Sequence, residues 1–136
     1  MKLIRTAVIT ALCVGPAYLL LQGQVQRIPA YFNSEAEAKP FPPTVDPKEF
    51  KSPNVRRAYE IAREIPGVLA QLPCYCYCDR AGHKGLHSCH RDTHSSHCGT
   101  CIKEALLASR MHKAGKKPAE IREAIIRGDW QYETLN

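Results

Sequence analysis

The chain has 136 residues, 44% of them hydrophobic, and a net charge of +6, the scale of a single domain. Lys2, Arg5 and Arg27 carry three of those charges in a segment without an acid, and the remaining surplus is scattered over residues 28–136. A phosphate-binding surface needs clustered Lys and Arg, so the charge pattern argues against nucleic acid as a partner.

The amino end opens with Lys2 and Arg5, followed by sixteen mostly apolar, uncharged residues from Thr6 to Leu21. A positive start before an apolar run marks a segment addressed to a membrane. A spanning helix needs about 20 apolar residues, so residues 1–27 are expected to form a hydrophobic helix that acts either as a signal peptide or as an N-terminal membrane anchor. Leu21-Gln22-Gly23 is a poor cleavage pattern, and Ala36-Glu37-Ala38 fits the small-x-small rule but lies far downstream. Either way the body is expected outside the cytoplasm, periplasmic or at the cell surface, secreted or membrane-anchored.

Residues 28–51 contain Pro29, Pro40, Pro42, Pro43 and Pro47. Proline removes amide donors and favours extended chain, so this segment reads as a tether. Residues 52–136 read as a helical Cys/His-rich domain. Ser52-Pro53 opens a helix as N-cap and first helical residue, with Val55, Ala58, Ala62 and Ile65 forming its apolar stripe. Pro66-Gly67 ends it, and Val68 to Leu72 is expected as a turn. A second helix is expected from Gly99 to Lys113, with Ile102, Ala105, Leu106, Ser109 and Met111 near its inner side and Gly115 as its cap. Pro118 opens a last helix to about Arg127, burying Ile121, Ala124 and Ile125; Trp130 and Tyr132 are expected to fold back onto the bundle. The fold class is therefore mainly α, a small three- to four-helix domain with a long Cys/His-rich loop.

That loop, residues 74–98, has no sustained period of either kind. A long loop beside a small core is uncommon unless it is functional or cross-linked. The window 74–101 holds Cys74, Cys76, Cys78, Cys89, Cys98 and Cys101, together with five of the six histidines. Six cysteines in an exported chain permit three disulfides. Thiolate and imidazole are equally the donors that suit copper and zinc. Covalent c-type haem is not expected, since Cys98-Gly-Thr-Cys101 is followed by Ile102 and Leu86 stands where Cys89-His90 would need its first cysteine.

If Cys74-Tyr-Cys-Tyr-Cys78 is extended, its three thiols point one way and Tyr75 and Tyr77 the other. A disulfide between cysteines two apart closes a strained ring, so at least two of the three must find partners elsewhere. Cys98-Gly-Thr-Cys101 opens a helix, where free amides favour thiolate; that suits a metal knuckle or a redox dithiol. A thioredoxin-like setting would need a preceding strand, and the sequence there is polar loop. His87, His90, His97 and His112 read as bystanders, Tyr75 and Tyr77 as packing residues, and Asp79 and Asp92 as loop caps. No nucleophile with a paired base is evident.

Leu72-Pro-Cys-Tyr-Cys-Tyr-Cys78, Gly82-His83, Cys89, His94, Cys98-Gly-Thr-Cys101 and the downstream stretch AGKKPAEIREAI together resemble the exported bacterial proteins named for a PCYCGC motif. Tyr77 stands where that name has glycine. Members are commonly lipoproteins, whereas Cys13 follows Leu12 and does not suit lipid modification. The resemblance implies an exported setting and makes His83 and His94 the preferred histidines; it brings no activity with it.

The sequence thus leads to a metal-binding module for Cu(I) or Zn²⁺ that uses Cys74, Cys76, Cys78, Cys89, Cys98, Cys101, His83 and His94. Its expected role is metal handling or delivery, to a metal-accepting or membrane protein. The alternatives are a disulfide-stabilised interaction domain and a CxxC thiol-redox protein.

Overall fold

The computed structural model describes residues 26–135. The hydrophobic helix expected near the N-terminus lies outside the described residues. Among the described residues there are six α-helices and no strand: α1 (Glu35–Ala38), α2 (Pro53–Glu64), α3 (Pro66–Ala70), α4 (Gly85–Ser88), α5 (Gly99–Lys113) and α6 (Pro118–Ile126). The mainly α class follows from the apolar spacing, and no described helix is long and apolar enough to cross a membrane.

α2 begins as its sequence indicates, with Ser52 in extended backbone at the N-cap and Pro53 at the first helical position, where no amide donor is needed. It buries Val55, Ala58, Tyr59, Ile61 and Ala62. Pro66 ends α2, yet the residues after it do more than turn. They start α3, whose Leu69 and Ala70 are buried, because proline that cannot continue one helix is well suited to open the next.

α5 is central, packed by α2 and α6. Ile102, Ala105 and Ser109 are buried as expected, but so are Cys101, Glu104, Leu107 and Ala108, while Leu106 and Met111 are only partly covered. Packing from two sides widens and rotates the buried stripe of a helix. α6 buries Ile121, Ala124 and Ile125, and Lys117 N–H donates to Glu120 Oε2 at 2.9 Å to cap it. Trp130 packs on the core. Tyr132 does not fold back: it is 87% exposed.

Residues 28–51 lie on the helices. Pro29, Ala38 and Pro47 are buried, and Phe50 stacks on Tyr59 with ring centroids 4.2 Å apart. Backbone bonds join Phe32 N–H to Ala70 O and Val45 N–H to His90 O. Extended chain leaves its amides free for such bonds, so proline-rich composition and close packing are compatible.

The loop is not structureless. It contains 3₁₀ turns at Cys78–Ala81 and His94–His97 with α4 between them. Leu86 is fully buried, and Gly85 accounts for its position. Gly85 has φ +77, and a Cβ there would lie 2.3 Å from Ala70 O; only glycine allows this approach. Tyr59 holds the loop's other end, its hydroxyl donating to Asp92 O at 2.6 Å and accepting from Ser95 Oγ at 2.7 Å.

Candidate metal centre

Three chain segments deliver the sulfurs. Cys74, Cys76 and Cys78 come from a turn after Pro73, Cys89 from the C-terminal end of α4, and Cys98 and Cys101 from the first turn of α5. The first segment is not extended. Tyr77 N–H donates to Cys74 O at 3.1 Å, which curls the motif and brings its thiols together instead of aligning them on an edge. Cys74 and Cys76 Sγ are 3.0 Å apart, and so are Cys76 and Cys78 Sγ.

The curl depends on Tyr77, which has φ +58 in the left-handed region. The motif name has glycine at this place, and glycine alone enters this region without steric cost. Tyr77 is held there by surface contacts: its hydroxyl accepts from Gln26 Nε2 at 2.9 Å, and the guanidinium groups of Arg27 and Arg80 lie 5.2 and 5.5 Å from its ring centre. Cation–ring contacts of this kind contribute about 0.5–1 kcal/mol each at exposed sites.

Two donor groups result. The Sγ atoms of Cys74, Cys76, Cys89 and Cys101 all lie within 4.8 Å of one another, and so do one donor atom each from Cys78, His83, Cys89 and His94. Around one Zn²⁺ with bonds of about 2.3 Å, tetrahedral sulfurs stand roughly 3.8 Å apart, within that spread. All six described cysteines are free thiols. Cys98 lies outside both groups, though it is close enough to Cys76 and Cys101 to hydrogen-bond with them.

The first group is largely buried: Cys74, Cys89 and Cys101 are only 5%, 1% and 0% exposed, while Cys76 is half-buried. The second is more open, since Cys78 and His94 are half-buried. His94 Nδ1 is 2.6 Å from Asp92 Oδ1, and its Nε2 is 3.3 Å from Cys78 Sγ. A carboxylate on one ring nitrogen fixes the tautomer and turns the other nitrogen toward a metal. His83 sits against His94, ring centroids 4.7 Å apart, and its buried Nδ1 has no hydrogen-bond partner.

The packed thiols do not ionise alike. Hydrogen bonds from Cys101 hold Cys76 down at about 3 and Cys74 well below the usual thiol range. Cys101, hydrogen-bonded to Cys74 and Cys76, is pushed up, and burial pushes Cys78 up to about 12. The helix terminus favours thiolate at the start of α5, but packing against Cys74 and Cys76 shifts Cys101 the other way, toward the thiol, while Cys74 and Cys76 shift toward thiolate. Like charges this close cannot all form without a cation among them.

Two carboxylates belong to this centre in ways the motif reading missed. Asp92 orients His94. Glu104 is fully buried, its Oε1 accepts the Tyr75 N–H at 2.8 Å, and burial together with the adjacent Cys74 raises its carboxyl well above the usual range. Glu104 was detectable from spacing, because three residues after Cys101 on a helix is the same face. Asp79 also does more than cap a loop. It takes two bonds from Arg27 at 2.6 and 2.9 Å and one from Ala30 N–H at 3.0 Å, tying the start of the described chain to the cysteine turn.

The other histidines stand apart from both groups. His90 is buried, donates from Nδ1 to Leu86 O at 3.1 Å, and is depressed by burial to about 4. His87 is buried against Phe41, while His97 and His112 are exposed.

Comparison with curated proteins and with solved structures finds no match. Residues 33–134, which span every donor just described, match the model of the family described as proteins of unknown function with a PCYCGC motif, and the chain belongs to that family.

Proposed function

We propose that this protein binds a soft metal ion, Cu(I) or Zn²⁺, through its Cys/His cluster and serves in metal handling or delivery outside the cytoplasm. The observation that carries this reading is the convergence of four free thiols, all within 4.8 Å of one another, from three separate chain segments. Soft thiolates with imidazole favour these metals over hard cations. Folding has already brought the donors together, so little ordering cost remains for an ion to meet.

The exported setting rests on the charge-then-apolar pattern of residues 1–21. Through that segment the chain is held at a membrane or secreted, and the receiving partner is a metal-accepting or membrane protein. The more open Cys78–His83–His94 side suits transfer, because a partner's ligands can reach it. A CxxC dithiol catalyst is less well supported, since Cys98 is half-buried but its partner Cys101 is fully buried and packed against Cys74 and Cys76 as well.

The test is elemental analysis of the reduced protein after exposure to Zn²⁺ or Cu(I) and desalting. Stoichiometric metal is expected; protein that retains neither metal would overturn the reading. Mass spectrometry after thiol blocking without reduction checks the disulfide alternative. Six modified cysteines in the body after metal removal are expected.

A further inference from the structure

Cys89 is a member of both donor groups. Its Sγ lies within 4.8 Å of the sulfurs of Cys74, Cys76 and Cys101, and equally within 4.8 Å of donors from Cys78, His83 and His94. We infer that the centre holds two metal ions bridged by the Cys89 thiolate, one ligated by Cys74, Cys76, Cys89 and Cys101, the other by Cys78, His83, Cys89 and His94. This rests on the soft-metal reading above and adds the number of ions and the atom that joins them.

Coordination number carries the first part of the argument. A structural zinc takes four protein ligands, so one ion leaves three of the seven donor residues unused inside a packed interior. Two four-coordinate ions need eight ligand positions, one more than the seven donors of the two groups, and Cys98 lies outside both. A thiolate has lone pairs for two metals, and the residue common to both groups supplies the missing position. The two groups are also contiguous, with Cys76 and Cys78 Sγ 3.0 Å apart across the boundary.

Charge carries the second part. Ligation removes the proton from each thiol, so the five cysteines of the two groups would present five negative charges in a largely buried volume. One divalent ion on the first group's four thiolates, with Cys78 still protonated, leaves two charges uncompensated; two ions on all five leave a single one. Unpaired buried charge is costly enough that the second ion is the simpler arrangement.

Placement carries the third. Cys89 is 1% exposed and caps α4, with its N–H on Leu86 O. α4 is itself fixed by the approach of Gly85 to Ala70. The shared sulfur therefore sits on a closely packed part of the loop, between a largely buried all-sulfur side and a more open side with two imidazoles.

The full chain, reduced and loaded with excess Zn²⁺ before anaerobic desalting, should retain two zinc ions. X-ray absorption at the zinc edge should show a zinc–zinc scattering path. In chelator competition, Cys78→Ser should weaken one of the two ions by about tenfold or more, whereas Cys89→Ser should weaken both. One zinc per chain, or two without a metal–metal path, overturns the bridged pair; the absorption measurement on the unaltered protein keeps this decisive if Cys89→Ser fails to fold. Retention of Cu(I) but no zinc overturns the bridged pair and leaves the soft-metal reading standing. Retention of neither ends both.

Discussion

The helical body and the cysteine loop are held by different physics. α2, α5 and α6 bury Tyr59, Ile61, Leu107, Ile121 and Ile125 completely, and side chains of that size contribute about 1.5–3 kcal/mol each on burial. Between Cys74 and Cys98 the one large aliphatic side chain is Leu86. The loop is placed instead by Gly85, by Tyr59 gripping Asp92 and Ser95, by Asp79 holding Arg27, and by the packed sulfurs. Apolar burial orders the body by itself; the loop has polar contacts whose net value is small and donors that are worth most with a cation present.

Metal removal is the strongest way to sharpen this contrast. At free metal a thousandfold above its dissociation constant, binding stabilises by about 4 kcal/mol. Chelation should therefore lower the unfolding midpoint and raise hydrogen exchange across residues 74–98, leaving the amides of α2 and α6 protected. Uniform loss of protection in both regions would show that the body depends on the centre as well.

Glu104 reaches from the body into the loop, and pH reads its contribution. Its raised folded-state carboxyl means that the unfolded chain loses this proton first as pH rises. The Glu104 contribution to the stability of the metal-free protein should then fall above about pH 4.3, by up to about 1.4 kcal/mol per pH unit, opposite in sign to that of the depressed Cys74 and Cys76 thiols. Glu104→Gln should remove that slope while keeping the acceptor for Tyr75 N–H. Denaturant titrations from pH 4 to pH 8 that run parallel for both proteins would contradict the assignment.

Asp92 tests the open side alone. Loss of a carboxylate behind a ligating histidine typically costs 10–100-fold in metal affinity, so Asp92→Asn should weaken binding by that factor. Calorimetric titration with Zn²⁺ or Cu(I) measures it; unchanged affinity would separate His94 from the centre.

The smallest expected effect is at the turn. Tyr77→Gly relieves a left-handed tyrosine but gives up its contacts with Gln26, Arg27 and Arg80. A gain of about 1 kcal/mol or less is expected, visible as a rise of a few degrees in thermal unfolding. A marked loss would mean that the ring contacts outweigh the backbone strain.

By itself the sequence determined α2, α5 and α6, because periodic apolar residues, Pro53, Pro118 and Gly115 act within a turn or two of where they stand; the short α1, α3 and α4 it read as tether, turn and loop. It also singled out the donor types, since six thiols and two motif histidines are visible without coordinates. It did not show how those donors are grouped. Extended or curled, Cys74 to Cys78 spells the same letters, and the choice falls to Tyr77 N–H closing on Cys74 O. Asp92 read as a loop cap and Glu104 as an unremarked helix residue. One became a histidine's partner and the other a buried carboxyl only when residues far apart in the chain were packed together. That Cys89 faces two groups is likewise decided by Gly85 pressing α4 against Ala70, a long-range contact that local pattern does not encode.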